Sequence, residues 1–490
     1  MDSLEKYFEP FRNQIIGNDL LFETPYGEKR MLYADWIASG RLYRPIEDKL
    51  VNHVGPWIAN THTETSESGT LMTKAYQYAH RRIKELVHAG PDDVIITAGS
   101  GMTTVVNKLQ RILGLRTCGK LSGEVCLDEN EKPIVFLTHM EHHSNQTSWY
   151  ESHVDVVLLD HDPDLLVDLD ELKRKLEEYK DRKHKIGAFT SCSNVTGIET
   201  PYHQMAKLMH QYGGLCFVDF AASAPYTDIN MHPADALEKL DAIYFSPHKF
   251  LGGPGSSGVL VFDSSLYHRK SPDNPGGGTV DWTNPWGEYK YIDDIELRED
   301  GGTPGFLQAI RAALAMELKE QMGTQNIRAR EEELLAIAFR EAPGIPGLKI
   351  LADNIHRRLG IISFYLEEVH FNLVVKLLSD RFGIQVRGGC ACAGTYGHFL
   401  LNVTYDDSHR ITQLINFGDL SEKPGFVRLS LHPTMTDKEL LFIMDAIRQI
   451  GIHHNSWGKD YIYNPHTNEF RHIMEPEDKT EQILKWFELP

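Results

Sequence analysis

Cysteine is scarce in this sequence, with six residues in a chain of 490. This number is too small for a scaffold held together by disulfides. No apolar run approaches the roughly 20 residues that a membrane span requires. The polar and aromatic N-terminus, MDSLEKYFEPFRNQ, lacks the pattern of a signal peptide. These absences predict a cytoplasmic protein that does not cross a membrane.

Closely spaced metal-ligand pairs are also missing. Cys118 and Cys126 lie outside the short spacings that are usual for zinc ligands, and the 24 histidines are scattered. The sequence therefore predicts no metal site.

Basic side chains are in the minority, with 50 Lys and Arg against 69 Asp and Glu and a net charge of −19. So acidic a chain is a poor partner for nucleic acid or for an anionic membrane. A small anionic ligand is not excluded, because a local pocket can have the opposite sign. The apolar share of 41% is enough for two packed domains.

Short apolar runs alternate with helical patterns through the first half of the chain. The helical patterns include residues 168–179 and 202–212. Apolar strands joined by helical crossovers predict an α/β fold with a mostly parallel sheet. The predicted strands are Val94–Thr97, Pro133–Thr138, Val154–Leu159, Ile186–Thr190, Leu215–Phe220, Ala242–Ser246 and Gly258–Phe262.

The pattern changes around residues 300–325, where a long helix is predicted. Beyond it we expect a separate α+β unit with strands near Leu348–Leu351, Gly360–Leu366, Ile384–Val386 and Gly425–Ser430. We therefore predict an N-terminal segment, 1–32, packing on the small domain, a large domain, 33–305, a smaller α+β domain, 306–452, and a C-terminal tail, 453–490. The sequence leaves the role of the tail open.

The segment SPHKFLGGPGSSGVLVF contains Lys249 between a predicted strand and a glycine-rich turn. In an α/β protein this position is the carboxyl edge of the sheet, where ligands bind. A desolvated lysine amine can condense with an aldehyde to form a Schiff base. Ser246 and His248 offer donors to an anionic group. Taken alone, the segment fits a surface lysine beside a turn equally well.

The segment LCFVDFAAS places Asp219 at the end of another apolar strand. A buried carboxylate requires a cationic partner, and the protonated pyridine nitrogen of pyridoxal 5′-phosphate (PLP) is such a partner. The alternative is an aspartate that caps a helix. Lysine and aspartate together at two strand ends favour a PLP site.

Two further segments follow strands and fit the same ligand. In ITAGSGMTTVVNKL, the backbone around Met102 and the side chain of Thr103 could hold a phosphate at a helix N-terminus. In THMEHHSNQ, the ring of His142 could stack on an aromatic cofactor, although core packing and metal ligation are alternatives. Adjacent histidines after a strand point to opposite faces, which disfavours joint ligation of one metal by His142 and His143.

With these motifs together, the chain resembles the class V aminotransferase superfamily of fold-type I PLP enzymes, in the cysteine desulfurase and selenocysteine lyase branch. The resemblance runs from YADWIASGRL near Tyr33 to VRLSLHPTMT near Thr436. It implies a large domain with a mostly parallel seven-stranded sheet, a smaller α+β domain, PLP as the cofactor and a homodimer.

The resemblance also implies a role for individual residues. Lys249 would hold PLP and move the proton at the substrate Cα, Asp219 would pair with the pyridine nitrogen, and His142 would stack on the ring. Asn194 would lie beside the phenolic oxygen and the substrate, and Arg428 would bind the substrate α-carboxylate. The implied phosphate ligands are Thr103, Ser246, His248, the backbone of Met102, and Thr303 from the second subunit.

The loop QVRGGCACAGTYGH is similar to the Arg-x-Gly-x-x-Cys-Ala loop of the family, with Arg387 and Cys392 at the matching positions. In desulfurases that cysteine attacks the substrate sulfur and retains it as a persulfide, and Arg387 would help to bind the substrate. Cys390 could form a redox pair or exchange a persulfide with Cys392. The alternative is that these are small buried residues, as most free cysteines are.

The sequence departs from the family pattern at two places. Ala222 stands where the family has a Gln or His beside the phenolic oxygen, and Ser223 could substitute. The segment 395–425 is longer than expected and could form a lid or a substrate wall.

Three functions fit these residues. The first is a cysteine desulfurase or selenocysteine lyase that acts on an amino acid and passes sulfur to an acceptor protein. The second is an aminotransferase, epimerase or β-lyase for another amino acid, in which Cys392 is not catalytic. The third is a non-enzymatic binding protein, which the intact set of cofactor residues disfavours.

Overall fold

A seven-stranded sheet forms the centre of the molecule. The computed structural model describes residues 3–116, 130–474 and 480–489. All seven strands predicted from the sequence belong to this sheet, which confirms the α/β prediction. Their order across the sheet is Asp93–Ala98, Gly258–Asp263, Ala242–Phe245, Leu215–Asp219, Lys185–Thr190, Ile134–Leu137 and Asp155–Leu158.

The sheet is parallel except at one strand. Gly258–Asp263 runs antiparallel to both of its neighbours, and the remaining pairs are parallel. Every residue of Lys185–Thr190 and of Ala242–Phe245 is buried. Helices cover both faces of such a sheet, which is why its strands are continuous apolar runs.

A second sheet has four strands and is antiparallel. The predicted strand at 384–386 is divided: Ile384–Gln385 pairs in parallel with Leu32–Tyr33, outside this sheet, and the sheet strand starts at Arg387. The pairing with Leu32–Tyr33 ends after two residues, because the following residues, Arg387–Gly389, pair with Phe426–Ser430 instead. The order of the small sheet is Leu348–Ile350, Ile361–Leu366, Phe426–Ser430 and Arg387–Gly389.

Two consecutive helices connect the sheets. Phe306–Met322 packs into the core of the large sheet, and Thr324–Glu341 contributes Leu334 and Leu335 to the core of the small sheet. Gly323 separates them with a φ of +73°, a conformation that favours glycine. The domain boundaries proposed from the sequence stay predictions.

The N-terminal segment contacts both units. Phe8 lies in the core of the large sheet, whereas Arg12 donates to Glu439 of the last long helix at 2.6 Å. The remaining strand pairs are Leu21–Thr24 with Gly27–Arg30, Val280–Thr283 with Tyr289–Tyr291, and Tyr461–Asn464 with Glu469–His472.

The helices vary widely in length. None among the described residues is both long and apolar enough to span a membrane. The α-helices are Leu4–Arg12, Arg44–Lys49, Glu67–Leu86, Met102–Ile112, His143–Tyr150, Leu169–Glu178, Tyr202–Gln211, Ile295–Glu299, Phe306–Met322, Thr324–Glu341, Phe371–Phe382, Gly394–Leu400, Tyr405–Asn416, Asp437–Trp457 and Thr480–Leu484.

Candidate active site

Lys249 and Asp219 follow neighbouring parallel strands at the carboxyl edge of the large sheet. Asp219 is buried, and burial raises its pKa to about 6 although the Ala221 N–H (2.8 Å) and Lys249 oppose the rise. Burial lowers the pKa of Lys249 to about 8, and the charge of Asp219 opposes this shift. The fold thus brings the two residues together and makes the lysine a better nucleophile near neutral pH.

His142 lies in the turn that follows the strand Ile134–Leu137, which is separated from Leu215–Asp219 by one strand. Its Nδ1 accepts the Ser144 N–H at 3.1 Å and caps the helix His143–Tyr150. Burial lowers the pKa of His142 to about 3, and the positive charge of Lys249 adds to the effect. The ring is therefore neutral at physiological pH and suited to stack on a flat cofactor.

An anion cradle lies at the N-terminus of the helix Met102–Ile112. The Met102 N–H donates to Ser246 Oγ at 2.8 Å, and His248 Nδ1 pairs with the Ser100 carbonyl at 2.8 Å. A Cβ on Gly101 would lie 2.9 Å from Ser246 Oγ, so glycine keeps this space open. Helix N–H groups, a serine and a histidine around an open space suit a phosphate.

The two threonines predicted to hold the phosphate differ in their placement. Thr103 lies at the cradle, where its exposed hydroxyl pairs with Ser144 Oγ at 2.7 Å. Thr303 is exposed and donates to Asn60 Oδ1 at 3.3 Å. Among the described residues, no side-chain hydrogen bond connects Thr303 to the residues of the cradle.

Arg428 is buried and lies beside Asn194. Its Nη1 donates to the Asn194 carbonyl at 3.2 Å, and its Nε–H has no partner among the described residues. The Asn194 side chain donates to the Ala391 carbonyl at 2.6 Å, while its Oδ1 is buried and likewise unpaired. Unpaired buried polar atoms are costly, so both groups indicate a place where a polar ligand binds.

Asp35 joins the two predicted substrate arginines and was not identified from the sequence. Its Oδ1 accepts from Arg428 Nη2 and its Oδ2 from Arg387 Nε, each at 3.0 Å. The arginines are direct neighbours on adjacent strands, and the carboxylate offsets their repulsion. The sequence contains no signal for this role, since one aspartate after a short apolar run is common.

Glu141 supports the turn that contains His142, and it too was not identified from the sequence. Its buried carboxylate accepts from the Thr138 hydroxyl (2.7 Å), the Asn145 amide (2.7 Å) and the Thr190 N–H (2.9 Å). Burial raises its pKa to about 7. A carboxylate directly after the apolar strand, in the segment THMEHH, was the available signal.

The predicted cysteine loop forms a tight turn from Cys390 to Ala393. The Ala393 N–H donates to the Cys390 carbonyl at 3.0 Å, and Ala391 and Cys392 have φ values of +48° and +56°. Two left-handed residues define a type I′ turn, which is strained without glycine and of a kind found at functional sites. Cys392 is exposed and Cys390 is half-buried.

Other side chains anchor this turn beside His142. The Cys392 carbonyl accepts the His143 N–H at 2.7 Å, and His143 Nε2 accepts the Gly394 N–H at 2.9 Å. Asn194 holds the Ala391 carbonyl, as described above. Burial is the main cause that lowers the pKa of Lys249 and of Arg428, and a thiolate on Cys392 would oppose it in both, so the cysteine lies near both groups.

The substitute suggested for the missing Gln or His already has a hydrogen-bond partner. Ser223 is buried and its Oγ pairs with Ser191 Oγ at 2.6 Å, and a role at the phenolic oxygen stays a prediction. Cys118 and Cys126 lie outside the described residues. Within the part of the chain that is described, no group of three or more His, Cys, Asp and Glu could hold a metal.

A lysine and an aspartate at the carboxyl edge of a mostly parallel seven-stranded sheet, with an anion cradle beside them, define an α/β enzyme of fold type I. Residues 32–442 match the family model described as Aminotransferase class-V. The chain belongs to the class V aminotransferase family.

Cysteine desulfurases are prominent among the similar proteins. A probable cysteine desulfurase of Staphylococcus aureus strain N315 is 27% identical over 418 residues, which cover 82% of this chain and 95% of that protein. The apo cysteine desulfurase of Thermococcus onnurineus superposes with a TM-score of 0.69 at 21% identity, over 86% of this chain and 95% of that one. Escherichia coli CsdA, also a cysteine desulfurase, gives a TM-score of 0.67 at 20% identity, over 91% and 98%. These likenesses confirm the predicted fold.

Proposed function

We propose that this protein is a PLP-dependent cysteine desulfurase, which converts L-cysteine to L-alanine and a persulfide on Cys392. The observation that carries the proposal is the position of Cys392: it is exposed, in a strained turn, and anchored to the His142–His143 turn and to Asn194. Relatives named probable cysteine desulfurase support it. Selenocysteine, which differs at one atom, is a second substrate that fits the same residues.

The residues of the site fit PLP. Lys249 would bind its aldehyde carbon, and Asp219, a buried carboxylate, would pair with the pyridine nitrogen. The neutral ring of His142 would stack on the cofactor, and the unpaired Oδ1 of Asn194 lies in a position suited to the substrate. The residues that would hold the phosphate are Met102, Thr103, Ser246 and His248, with Thr303 of a second subunit.

When bound, PLP withdraws electrons from the substrate Cα. Lys249, whose pKa is lowered by burial, accepts the Cα proton and later returns it. The free Nε–H of Arg428 and its Nη2 bind the substrate carboxylate, while Arg387 adds positive charge. The Cys392 sulfur forms a bond to the substrate sulfur as the substrate C–S bond breaks.

A homodimer is part of the proposal. Thr303 is exposed and its hydroxyl donates to Asn60 rather than to a residue of the cradle, which is compatible with a role in a partner's site. A sulfur-acceptor protein and a cytoplasmic location complete the proposal, and the small number of cysteines is compatible with that location.

The test is to incubate the purified protein with L-cysteine and to assay alanine, sulfide and 2-oxo acids together. With excess dithiothreitol present to reduce the persulfide, we expect alanine and sulfide in equal amounts, and a loss of about 100-fold or more in Cys392→Ala. The PLP absorbance band of the variant should match that of the unsubstituted protein, which would show an intact cofactor site. Full activity of Cys392→Ala, or 2-oxo acid as the main product, would contradict the desulfurase and favour another class V reaction.

A further inference from the structure

A cavity of about 830 Å³ lies between the helix Phe371–Phe382, the strand Arg387–Gly389 and the C-terminal hairpin, which consists of residues 461–472. Cys390 forms part of its wall. Cavities of this volume hold small molecules in other proteins. The function proposed above uses neither the cavity nor Cys390, although the sequence suggested an exchange between Cys390 and Cys392.

The cavity is built partly by the segments that the family pattern does not explain. Leu420 and Lys423 come from the long segment 395–425, and residues 467–471 come from the tail. The two segments are joined, because the Leu420 N–H donates to the Pro465 carbonyl at 2.8 Å and His466 Nδ1 pairs with the Gly418 carbonyl at 2.7 Å. The family match ends at residue 442, before the hairpin begins.

The charge of the cavity is opposite to that of the whole chain. Among the described residues that line it, three are cations, Lys376, Lys423 and Arg471, and one is a carboxylate, Glu469. Lys376 also pairs with Asp380 Oδ1 at 3.4 Å, and a positive excess remains, whereas the chain has a net charge of −19. Further polar groups line the cavity, namely the backbone of Gly388 and Gly389 and the side-chain amide of Asn468. Cations grouped on an acidic protein favour a ligand with carboxylate groups.

The tight turn connects this cavity to the active site. Cys390 and Cys392 are its first and third residues, bridged by the bond from Ala393 to Cys390. Cys392 is exposed in the site of Lys249 and Arg428, while the half-buried Cys390 lines the cavity. One residue separates the two cysteines, so the turn brings Cys392 in the active site close to Cys390 in the cavity wall.

We propose that Cys390 receives sulfur from Cys392 and transfers it to a small thiol with carboxylate groups that binds in this cavity. The inference rests on the desulfurase function proposed above. The amino acid and the sulfur acceptor then enter by different routes, so the acceptor does not have to displace the amino acid.

Both transfers are redox-neutral exchanges. The Cys390 thiolate attacks the outer sulfur of the Cys392 persulfide; the new S–S bond forms on Cys390, the old one breaks, and Cys392 leaves as a thiolate. The acceptor thiolate then attacks the outer sulfur on Cys390 and leaves as a persulfide, which restores the Cys390 thiolate. No oxidant or reductant is needed.

The first test compares two thiols as acceptors in steady-state turnover of L-cysteine by the holoenzyme. Glutathione is the anionic probe, with two carboxylates, and 2-mercaptoethanol is a neutral probe that can reach the exposed Cys392 directly. We expect Cys390→Ser to lower kcat/KM for glutathione about tenfold and to leave the rate with 2-mercaptoethanol nearly unchanged. Alanine formed in the first turnover, with no thiol added besides L-cysteine, reports the Cys392 step alone.

The second test removes the charge of the cavity but keeps both cysteines. The double variant Lys376→Ala/Arg471→Ala should raise KM for glutathione about tenfold at nearly constant kcat. Its matched control is Lys349→Ala, which removes an exposed lysine from the far strand of the small sheet and should leave KM unchanged.

Two negative results remain distinguishable. If no alanine forms in the first turnover, the desulfurase function itself is wrong. If it forms, and both the Cys390→Ser and double variants use glutathione as well as the unsubstituted protein does, the function stands and the relay through Cys390 is overturned.

Discussion

The amine of Lys249 is buried at the edge of the sheet, close to the carboxylate of Asp219. Desolvation disfavours the charged amine, and the nearby negative charge favours it. Desolvation prevails, which leaves the pKa at about 8. A lysine in this state is a nucleophile and a proton acceptor under physiological conditions.

We expect the apoprotein to take up PLP at a rate that rises with pH and reaches half of its maximum near pH 8, because only the neutral amine adds to an aldehyde. Stopped-flow absorbance measures the rate. Asp219→Asn removes the charge that holds the pKa up, so its midpoint should move to lower pH. A midpoint near the ordinary lysine value of about 10.4, or a shift of the variant to higher pH, would contradict the assignment.

Asp35 acts through the arginines rather than on the substrate. It anchors Arg428 by Nη2 and leaves Nε–H free, so it presents one edge of the guanidinium to a carboxylate. Hydrogen bonds between charged groups contribute about 1.5–3 kcal/mol each, which is large enough to set the orientation of a side chain.

Asp35→Asn should therefore raise KM for L-cysteine about tenfold with a smaller change in kcat. Steady-state kinetics and a PLP titration measure the effect, and PLP affinity should not change. Asp19→Asn is the control, because that exposed carboxylate also pairs with an arginine, Arg30, but far from the site. An unchanged KM, or an equal loss of PLP affinity, would remove Asp35 from substrate positioning.

At the scale of elements, the ends of strands and helices hold the site together. The helix Met102–Ile112 starts where the edge strand Asp93–Ala98 has ended, so its free N–H groups face Ser246 from another strand end. The space between them exists because residue 101 has no side chain.

Gly101→Ala should weaken PLP binding about tenfold, because an inserted methyl group in a close-packed place costs about 1–3 kcal/mol. The Kd for PLP, from absorbance or fluorescence titration, tests this. Gly277→Ala is the matched control, since its Cβ would meet no atom within 4 Å. Equal affinity of both variants would show that the cradle does not hold the phosphate.

At the scale of the whole molecule, the proposed site takes all of its cofactor residues from one chain except Thr303, which comes from a second subunit. Thr303 is exposed and its hydroxyl donates to Asn60, and we propose that it serves the site of a second subunit. A homodimer with two-fold symmetry would form two such sites, because each contact in such an interface occurs in duplicate.

A subunit-mixing experiment tests this arrangement. Lys249→Ala and Thr303→Val should each lose activity at limiting PLP, but a mixed dimer contains one site with both Lys249 and Thr303. Random mixing should therefore restore about a quarter of the sites. Sedimentation tests whether the protein is a dimer. The control is an equal mixture of the two variants under conditions in which their subunits do not exchange. No recovery after exchange would place Thr303 in the site of its own chain or outside any site.

The sequence by itself determined the seven strands of the large sheet and the pairing of Lys249 with Asp219. These depend on local information, namely apolar runs of strand length and the residue type at each strand end. The anion cradle was also predictable, because a glycine turn between a strand and a helix is a local pattern.

Only the tertiary structure decided what lies between segments far apart in the chain. Asp35 meets Arg387 and Arg428 across more than 350 positions, and the basic cavity combines the long segment after Cys392 with the tail. Ser223 pairs with Ser191, 32 positions earlier in the chain. Such contacts depend on how sheets and helices pack, and packing leaves no periodic pattern in the sequence. Strands and turns do leave such a pattern, because residues close together in the chain determine them.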